Sequence, residues 1–312
     1  MNAFIFPGQG SQFVGMGRDL YDNFLTAREI FQEIDETLKQ NLSKLMFEGP
    51  LETLTLTENT QPALMAVSLA LIHVLKKDAN FNIFEKVSYM AGHSLGEYSA
   101  LASADVLTVS QTARLLRQRG NAMQQAVPLG QGSMVALIGA DLDQAEVIAL
   151  KSAQGDVCEV ANDNAPGQVV LSGDKTALDR VLDIAKEYGI KRAISLPVSA
   201  PFHSSLMMPA AEKMSAILQN ETFHLPKVPI IVNVTAQAES NPEHLKCCLI
   251  EQISGRVRWR ESILSLKNLG IKNVIEVGAG KVLSGLTKRI DPDLEAHSLQ
   301  SPGDIDSFIK IF

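Results

Sequence analysis

The chain has 312 residues, 46% hydrophobic and 20% charged, with a formal net charge of −7. A chain this long can bury roughly 75% of its unfolded surface, enough for one large core or two smaller ones, and its acidic balance argues against nucleic acid as the main partner. Its three cysteines, the adjacent Cys247 and Cys248 and the distant Cys158, form neither a disulfide framework nor a C-x-x-C metal spacing. That usage fits a reducing, cytoplasmic compartment. The first residues carry no basic leader, so no signal peptide is expected. The longest apolar stretch, 62–75, is interrupted by Ser68 and His73 and is shorter than the ~20 residues that span a bilayer, so no membrane association is expected either.

In chain order, residues 3–6 read as a buried strand that ends in the turn Pro7-Gly8-Gln9-Gly10. Helical periodicity follows at 27–39 and 62–77. Residues 87–91 form a short apolar run closed by Gly92, and helices are predicted from Leu95 and over 110–125. This alternation predicts a parallel sheet covered by helices. The rhythm then changes. Strands at 134–138, 157–161, 168–171 and 193–196 enclose two helices, 141–152 and 174–188, each with an aspartate at its start, and Gly189 closes the second. The polar segment 162–167 reads as a turn between the two middle strands. The order β-α-β-β-α-β is the ferredoxin-like pattern. After Pro201 the first rhythm returns, with helices at 206–219, 243–253 and 261–269 and strands at 230–234 and 274–277. The expected fold class is α/β with two domains. A large discontinuous one spans 1–126 and 198–312, and a ferredoxin-like subdomain spans 127–197.

Gly92-His93-Ser94-Leu95-Gly96 fits G-x-S-x-G, with an apolar strand before it and a helix pattern after it. Such a strand-to-helix elbow needs glycines beside the serine because the turn is strained and crowded. It exposes the serine hydroxyl at a helix head, where the amide of Leu95 faces any oxyanion formed there. A serine nucleophile needs a base. Of the six histidines, His73 lies on an apolar helix, His93 adjoins the serine and points away from it, and His224, His244 and His297 lie in polar surroundings. His203 lies in the small-residue turn Ser199-Ala200-Pro201-Phe202-His203-Ser204 between a strand and a helix, and is the best candidate by position. Two other motifs are incomplete. Gly8-Gln9-Gly10-Ser11-Gln12-Phe13 has Phe where a dinucleotide fingerprint has its third Gly, and Gly280-Lys281 is followed by Val282 rather than Ser or Thr. No nucleotide hydrolysis, cofactor or metal is expected.

Four segments coincide: Phe6-Pro7-Gly8-Gln9-Gly10-Ser11-Gln12, Gly92-His93-Ser94-Leu95-Gly96-Glu97, Arg119-Gly120 and Ala200-Pro201-Phe202-His203. With Asn164 to Val170, Val257-Arg258-Trp259 and Glu276 to Lys281, they make the whole chain resemble the malonyl-CoA:acyl carrier protein transacylase family of fatty acid synthesis. The resemblance implies a hydrolase-like core with a nucleophile elbow and a ferredoxin-like insert. It implies Ser94 as nucleophile, His203 as general base and the main-chain carbonyl of Gln252 as the group that orients it. The amides of Gln9 and Leu95 would form the oxyanion hole, and Arg119, Phe202 and Asn162 would meet the substrate. Without the resemblance, Arg114, Arg117 and Arg119 are equivalent as solvated helix charges. Many members read His-Ala-Phe-His where this chain has Ala200-Pro201-Phe202-His203. The phenylalanine is kept, and in the family it accompanies malonyl rather than methylmalonyl use.

The implied reaction is a ping-pong transfer of malonyl from malonyl-CoA to the phosphopantetheine thiol of an acyl carrier protein, by a monomer. Arg256, Arg258 and Arg260, or Lys281, Lys288 and Arg289, could form a basic patch for that acidic carrier. Rival readings are a serine hydrolase or thioesterase, a non-catalytic carrier-binding module, and a freestanding malonyl loading enzyme for polyketide assembly or malonate decarboxylation.

Overall fold

Ala3, Phe4, Ile5 and Phe6 are all fully buried, because their strand has neighbours on both edges and packed cores on both faces. The computed structural model describes residues 1–311. Its strands are β1 (Asn2–Phe6), β2 (Val87–Gly92), β3 (Gly132–Ile138), β4 (Cys158–Ala165), β5 (Gln168–Asp174), β6 (Arg192–Ser195), β7 (Ile230–Ile231), β8 (Ala238–Glu239), β9 (Asn273–Val277) and β10 (Glu295–Leu299). The first sheet has the order β10-β9-β1-β2-β7-β8. All its neighbours are parallel except β7 and β8. Parallel strands with both faces covered read as continuous apolar runs, and β1 divides its side chains accordingly. Phe4 and Phe6 enter the larger core with Ile275 and Val277, while Ala3 and Ile5 face Ala91, Ile231 and Trp259 on the other side.

The second sheet is antiparallel, with the order β4-β5-β3-β6. Val135, Leu137, Val169 and Leu171 pack on Ala145, Ile148, Leu178 and Val181 of the helices Leu142–Ala153 and Lys175–Ile184. The alternate residues Met134, Ala136 and Val170 turn the other way and join the larger core. This second face overlooks the candidate site.

Several predicted elements shift for identifiable reasons. The segment 162–167 is not all turn: β4 continues to Ala165, and only Pro166 and Gly167 remain to turn the hairpin. Its polar residues are held in the strand by partners from elsewhere. The Asp163 N–H donates to the Val257 carbonyl at 3.0 Å, and Arg260 Nε donates to Asp163 Oδ2 at 2.9 Å. Asp174 does not cap the helix after it; its carboxylate accepts the Val157 N–H at 2.7 Å, and that helix ends at Ile184, before a single 3₁₀ turn. The central helix runs Thr57–Lys77, starting five residues before Pro62. Its polar first turns are buried, and Thr60 Oγ1 donates to the Leu54 carbonyl at 2.6 Å. The helix Val282–Ile290 carries Ser284 and Gly285, which hide its periodicity. Glu276 of β9 stabilises its start by accepting the Leu283 and Ser284 N–H groups at 3.1 and 2.7 Å.

Candidate active site

The elbow is built by close backbone approach. A Cβ on Gly92 would lie 1.9 Å from the carbonyl carbon and oxygen of Gly96, and one on Gly96 would lie 2.3 Å from the Phe6 carbonyl oxygen. Only glycine allows β2, the end of β1 and the helix Gly96–Ser103 to meet this tightly. Between them Ser94 adopts φ +52°, a left-handed conformation rare for a residue with a Cβ.

This turn brings Ser94 Oγ to 2.8 Å from His203 Nε2. His203 also has a left-handed φ, +60°, and it is buried. Its Nδ1 lies 2.8 Å from the main-chain carbonyl oxygen of Gln252. A carbonyl can only accept, so Nδ1 carries the ring hydrogen and Nε2 presents its lone pair to the serine hydroxyl. Burial, then the Arg119 charge, push the His203 pKa down to about 3, so the ring is neutral at physiological pH and competent to take a proton.

Arg119, from the helix Val109–Ala126, is 1% exposed. Its Nη2 donates to Ser94 Oγ at 3.2 Å and to Gln252 Oε1 at 2.7 Å, and its Nη1 donates to Gln61 Oε1 at 2.8 Å. The guanidinium is thus fixed by neutral oxygens. Burial lowers its pKa, opposed by Tyr98 and Glu97. Among the described residues it has no carboxylate within ion-pair distance. Arg117 instead donates to Gln40, and Arg114 lies 4.0 Å from Glu221 on the surface. The three arginines that look alike in sequence are therefore distinct in space.

A cavity of about 230 Å³ opens over Ser94, lined by Gln9, Leu95, Arg119, Met123, Met134, Asn162, Val170, Phe202 and His203 among others. Among the described residues, neither the Gln9 nor the Leu95 amide has a hydrogen-bond partner within the protein. All eight residues singled out in the sequence as catalytic, oxyanion or substrate groups are at this place, with Gln252 entering through its carbonyl beneath His203 and through Arg119. His93 turns away from the serine hydroxyl to Asn164, 2.8 Å from its Oδ1, with its ring against Trp259.

Sequence reasoning missed Gln61, Glu97 and Asn233. Asn233 Oδ1 accepts the Ser94 N–H at 2.7 Å. Glu97 is fully buried, and its Oε2 accepts from Asn233 N–H at 2.9 Å and Gln252 Nε2 at 3.0 Å. Burial raises its pKa to about 7 despite these bonds and the Arg119 charge. Glu97 immediately follows the elbow motif and could have been noticed there; Asn233 and Gln61 lie in no motif. Of the two basic clusters, Arg256, Arg258 and Arg260 are each paired with a carboxylate, from Glu146, Glu261 and Asp163. Lys281, Lys288 and Arg289 are exposed, and Arg289 reaches Gln168 at 2.9 Å. Among the described residues there is no cluster of His, Cys, Asp and Glu that could hold a metal, and no helix long and apolar enough to cross a membrane.

The family model described as "Acyl transferase domain" matches residues 3–290. The malonyl CoA-acyl carrier protein transacylase of Bacillus subtilis is 43% identical over 309 residues, covering 99% of this chain and 96% of the relative. The crystal structure of an acyl-carrier-protein S-malonyltransferase from Bartonella henselae is 48% identical and superposes with a TM-score of 0.97, covering 99% of this chain and 98% of that one. A malonyl-transacylase solved in complex with its type II PKS acyl-carrier protein is 39% identical with a TM-score of 0.96, covering 100% of this chain and 99% of that one. Similarity of this extent, over nearly the whole chain, means that the chain belongs to the acyl transferase family, among the malonyl CoA-acyl carrier protein transacylases.

Proposed function

We propose that the protein transfers a malonyl group from malonyl-CoA to the phosphopantetheine thiol of an acyl carrier protein through an ester on Ser94, supplying fatty acid synthesis. The observation that carries this is a buried Arg119 guanidinium 3.2 Å from the Ser94 hydroxyl, with no carboxylate within ion-pair distance among the described residues. A planar cation held there by neutral oxygens suits a bidentate contact with the free carboxylate of the acyl group.

In the first half-reaction His203 Nε2 takes the Ser94 proton as Oγ attacks the thioester carbon. The Gln252 carbonyl stabilises the imidazolium through Nδ1–H. The tetrahedral oxyanion accepts from the Gln9 and Leu95 amides, each such donor contributing about 10²- to 10³-fold in rate. The carbon–sulfur bond breaks, His203 returns the proton to the departing coenzyme A thiolate, and malonyl-Ser94 remains. The carrier thiol then attacks the ester, His203 moves its proton in the same way, and Ser94 Oγ–H is restored.

The domain division 1–126 with 198–312 and 127–197 assigns the nucleophile and base to the large domain and Asn162, Met134 and Val170 to the insert, so the acyl pocket lies at their junction. The working unit in this reading is a monomer, in the cytoplasm and without cofactor. Carrier docking belongs to Lys281, Lys288 and Arg289, since each arginine of the other basic cluster is already paired with a carboxylate of this chain. Initial rates measured while varying malonyl-CoA at several fixed concentrations of holo-carrier protein test the proposal. Parallel double-reciprocal lines and malonyl-carrier as product are expected. Intersecting lines, or free malonate in place of malonyl-carrier, would overturn it.

A further inference from the structure

The side chain that ties the elbow together belongs to no recognisable motif. Asn233 lies just beyond β7 and is fully buried. Its Oδ1 accepts the Ser94 N–H at 2.7 Å, and its Nδ2 donates to the Gly92 carbonyl at 2.7 Å. One planar amide therefore spans the turn, gripping the residues on either side of His93 by an acceptor and a donor together. Asn233 is itself anchored: its N–H donates to Glu97 Oε2 at 2.9 Å, and its carbonyl accepts the Arg258 N–H at 3.1 Å. The same Glu97 oxygen holds Gln252 Nε2, whose residue supplies the carbonyl beneath His203.

Left-handed φ at a serine persists only where its surroundings over-determine it. Here the glycines make room for the turn, and the Asn233 amide is the side chain bonded to it at both ends. By claiming the Ser94 N–H it also leaves the Leu95 amide as the one that faces the cavity. We propose that Asn233 is a positioning residue of the elbow, holding Ser94 in the left-handed conformation that aims Oγ at His203, with Glu97 locking this clamp to the base's support. This rests on Ser94 being the nucleophile.

The test compares Asn233→Ala and Asn233→Asp with the wild type in two reactions: single-turnover acylation by malonyl-CoA, and covalent labelling of Ser94 by a small fluorophosphonate. Asn233→Ala is expected to slow both by about 10- to 100-fold, the scale of a small misplacement of a reacting group. Malonyl-CoA binding, measured calorimetrically with and without Asn233→Ala in a Ser94→Ala background, should change by less than about threefold, since ground-state contacts are spared. Asn233→Asp gives a signature that no general loosening shares. As a neutral acid it can accept from Ser94 and donate to Gly92; as a carboxylate it cannot donate. Its rate relative to wild type should therefore climb as pH falls from about 8 to about 5, the range into which burial lifts a carboxyl pKa. Glu97, Arg258, His203 and Arg119 titrate or carry charge nearby, and Glu97 would couple to the new acid, so the ratio is also taken with Glu97→Gln in both proteins, where the climb should persist.

Rates within about threefold of wild type for Asn233→Ala, a pH-independent ratio for Asn233→Asp, or an equal loss of binding and rate would each overturn the proposal. If Asn233→Ala does not fold, the near-isosteric Asp variant decides. A wild type labelled by the fluorophosphonate but not acylated by malonyl-CoA would sink the substrate reading, while labelling would still report on the clamp.

Discussion

Replacing Arg119 by alanine is the sharpest perturbation of acyl-group choice. The guanidinium is 1% exposed, donates to neutral oxygens of Gln61, Gln252 and Ser94, and among the described residues has no carboxylate within ion-pair distance, so a malonyl carboxylate would meet an unpaired cation. Removing one member of such a buried pair typically costs about 3–5 kcal/mol, which corresponds to roughly 10²- to 10⁴-fold in kcat/KM. An acetyl group brings no carboxylate and cannot lose this interaction. Because Arg119 Nη2 also donates to the nucleophile, Arg119→Ala will slow both substrates to some extent, and the informative quantity is the ratio of their kcat/KM values. In the wild type that ratio should favour malonyl-CoA strongly. In Arg119→Ala it should fall to within about tenfold, the range that mere size differences produce. Arg119→Lys should recover only part of the preference, since a point charge cannot reproduce the two-pronged contact. A malonyl preference that survives Arg119→Ala intact would refute the assignment of the carboxylate site.

Three further predictions concern pH and folding. With its pKa near 3, His203 should stay a competent base well into acid, so acylation should show no limb near the ordinary histidine value of 6.5. For stability, His203 is depressed: its contribution is complete above 6.5 and is lost as pH falls toward 3. Glu97 is raised from 4.5 to about 7, so its contribution is complete below 4.5 and is lost as pH rises through 7. The two oppose each other between 4.5 and 6.5. Urea melts across this window should therefore show a steeper rise of stability with pH in Glu97→Gln than in wild type; equal slopes would remove Glu97 as a titrating group. Separately, Gly92→Ala would place a Cβ 1.9 Å from the Gly96 backbone. No side chain can move aside there, so a loss of about 3 kcal/mol or more is expected in thermal melts, beyond ordinary overpacking. A melting temperature equal to wild type would contradict the close-approach account.

What the sequence shows and hides follows from how each element is stabilised. The run Ala3 to Phe6 is apolar throughout because both faces of β1 are covered, and that pattern is visible locally. G-x-S-x-G is equally local, since its glycines answer contacts across a single tight turn. The end of β4 is not: Asn162, Asp163 and Asn164 look like a turn, yet they lie in a strand paired with β5 and are tied down by Val257, Arg260 and His93, distant in sequence. The strand predicted over 230–234 stops at Ile231 because Asn233 gives its N–H to Glu97 rather than to a neighbouring strand. Thr57 and Gln61 look like a polar loop before Pro62, yet they are buried helix residues, with Gln61 on Arg119. Residues whose partners are brought by tertiary structure carry no local signature, and of the groups that support this site Gln61 and Asn233 are such residues, while Glu97 at least adjoins the elbow motif.

A malonyl ester on Ser94 would add a defined mass to the protein, which intact-mass measurement reads. The protein is mixed with malonyl-CoA in the absence of carrier protein, beside Ser94→Ala. A single malonyl adduct should appear on the wild type, map to the peptide containing Ser94, be absent from Ser94→Ala and disappear when holo-carrier protein is added. An unmodified wild type, or an adduct that persists in Ser94→Ala, would contradict the account.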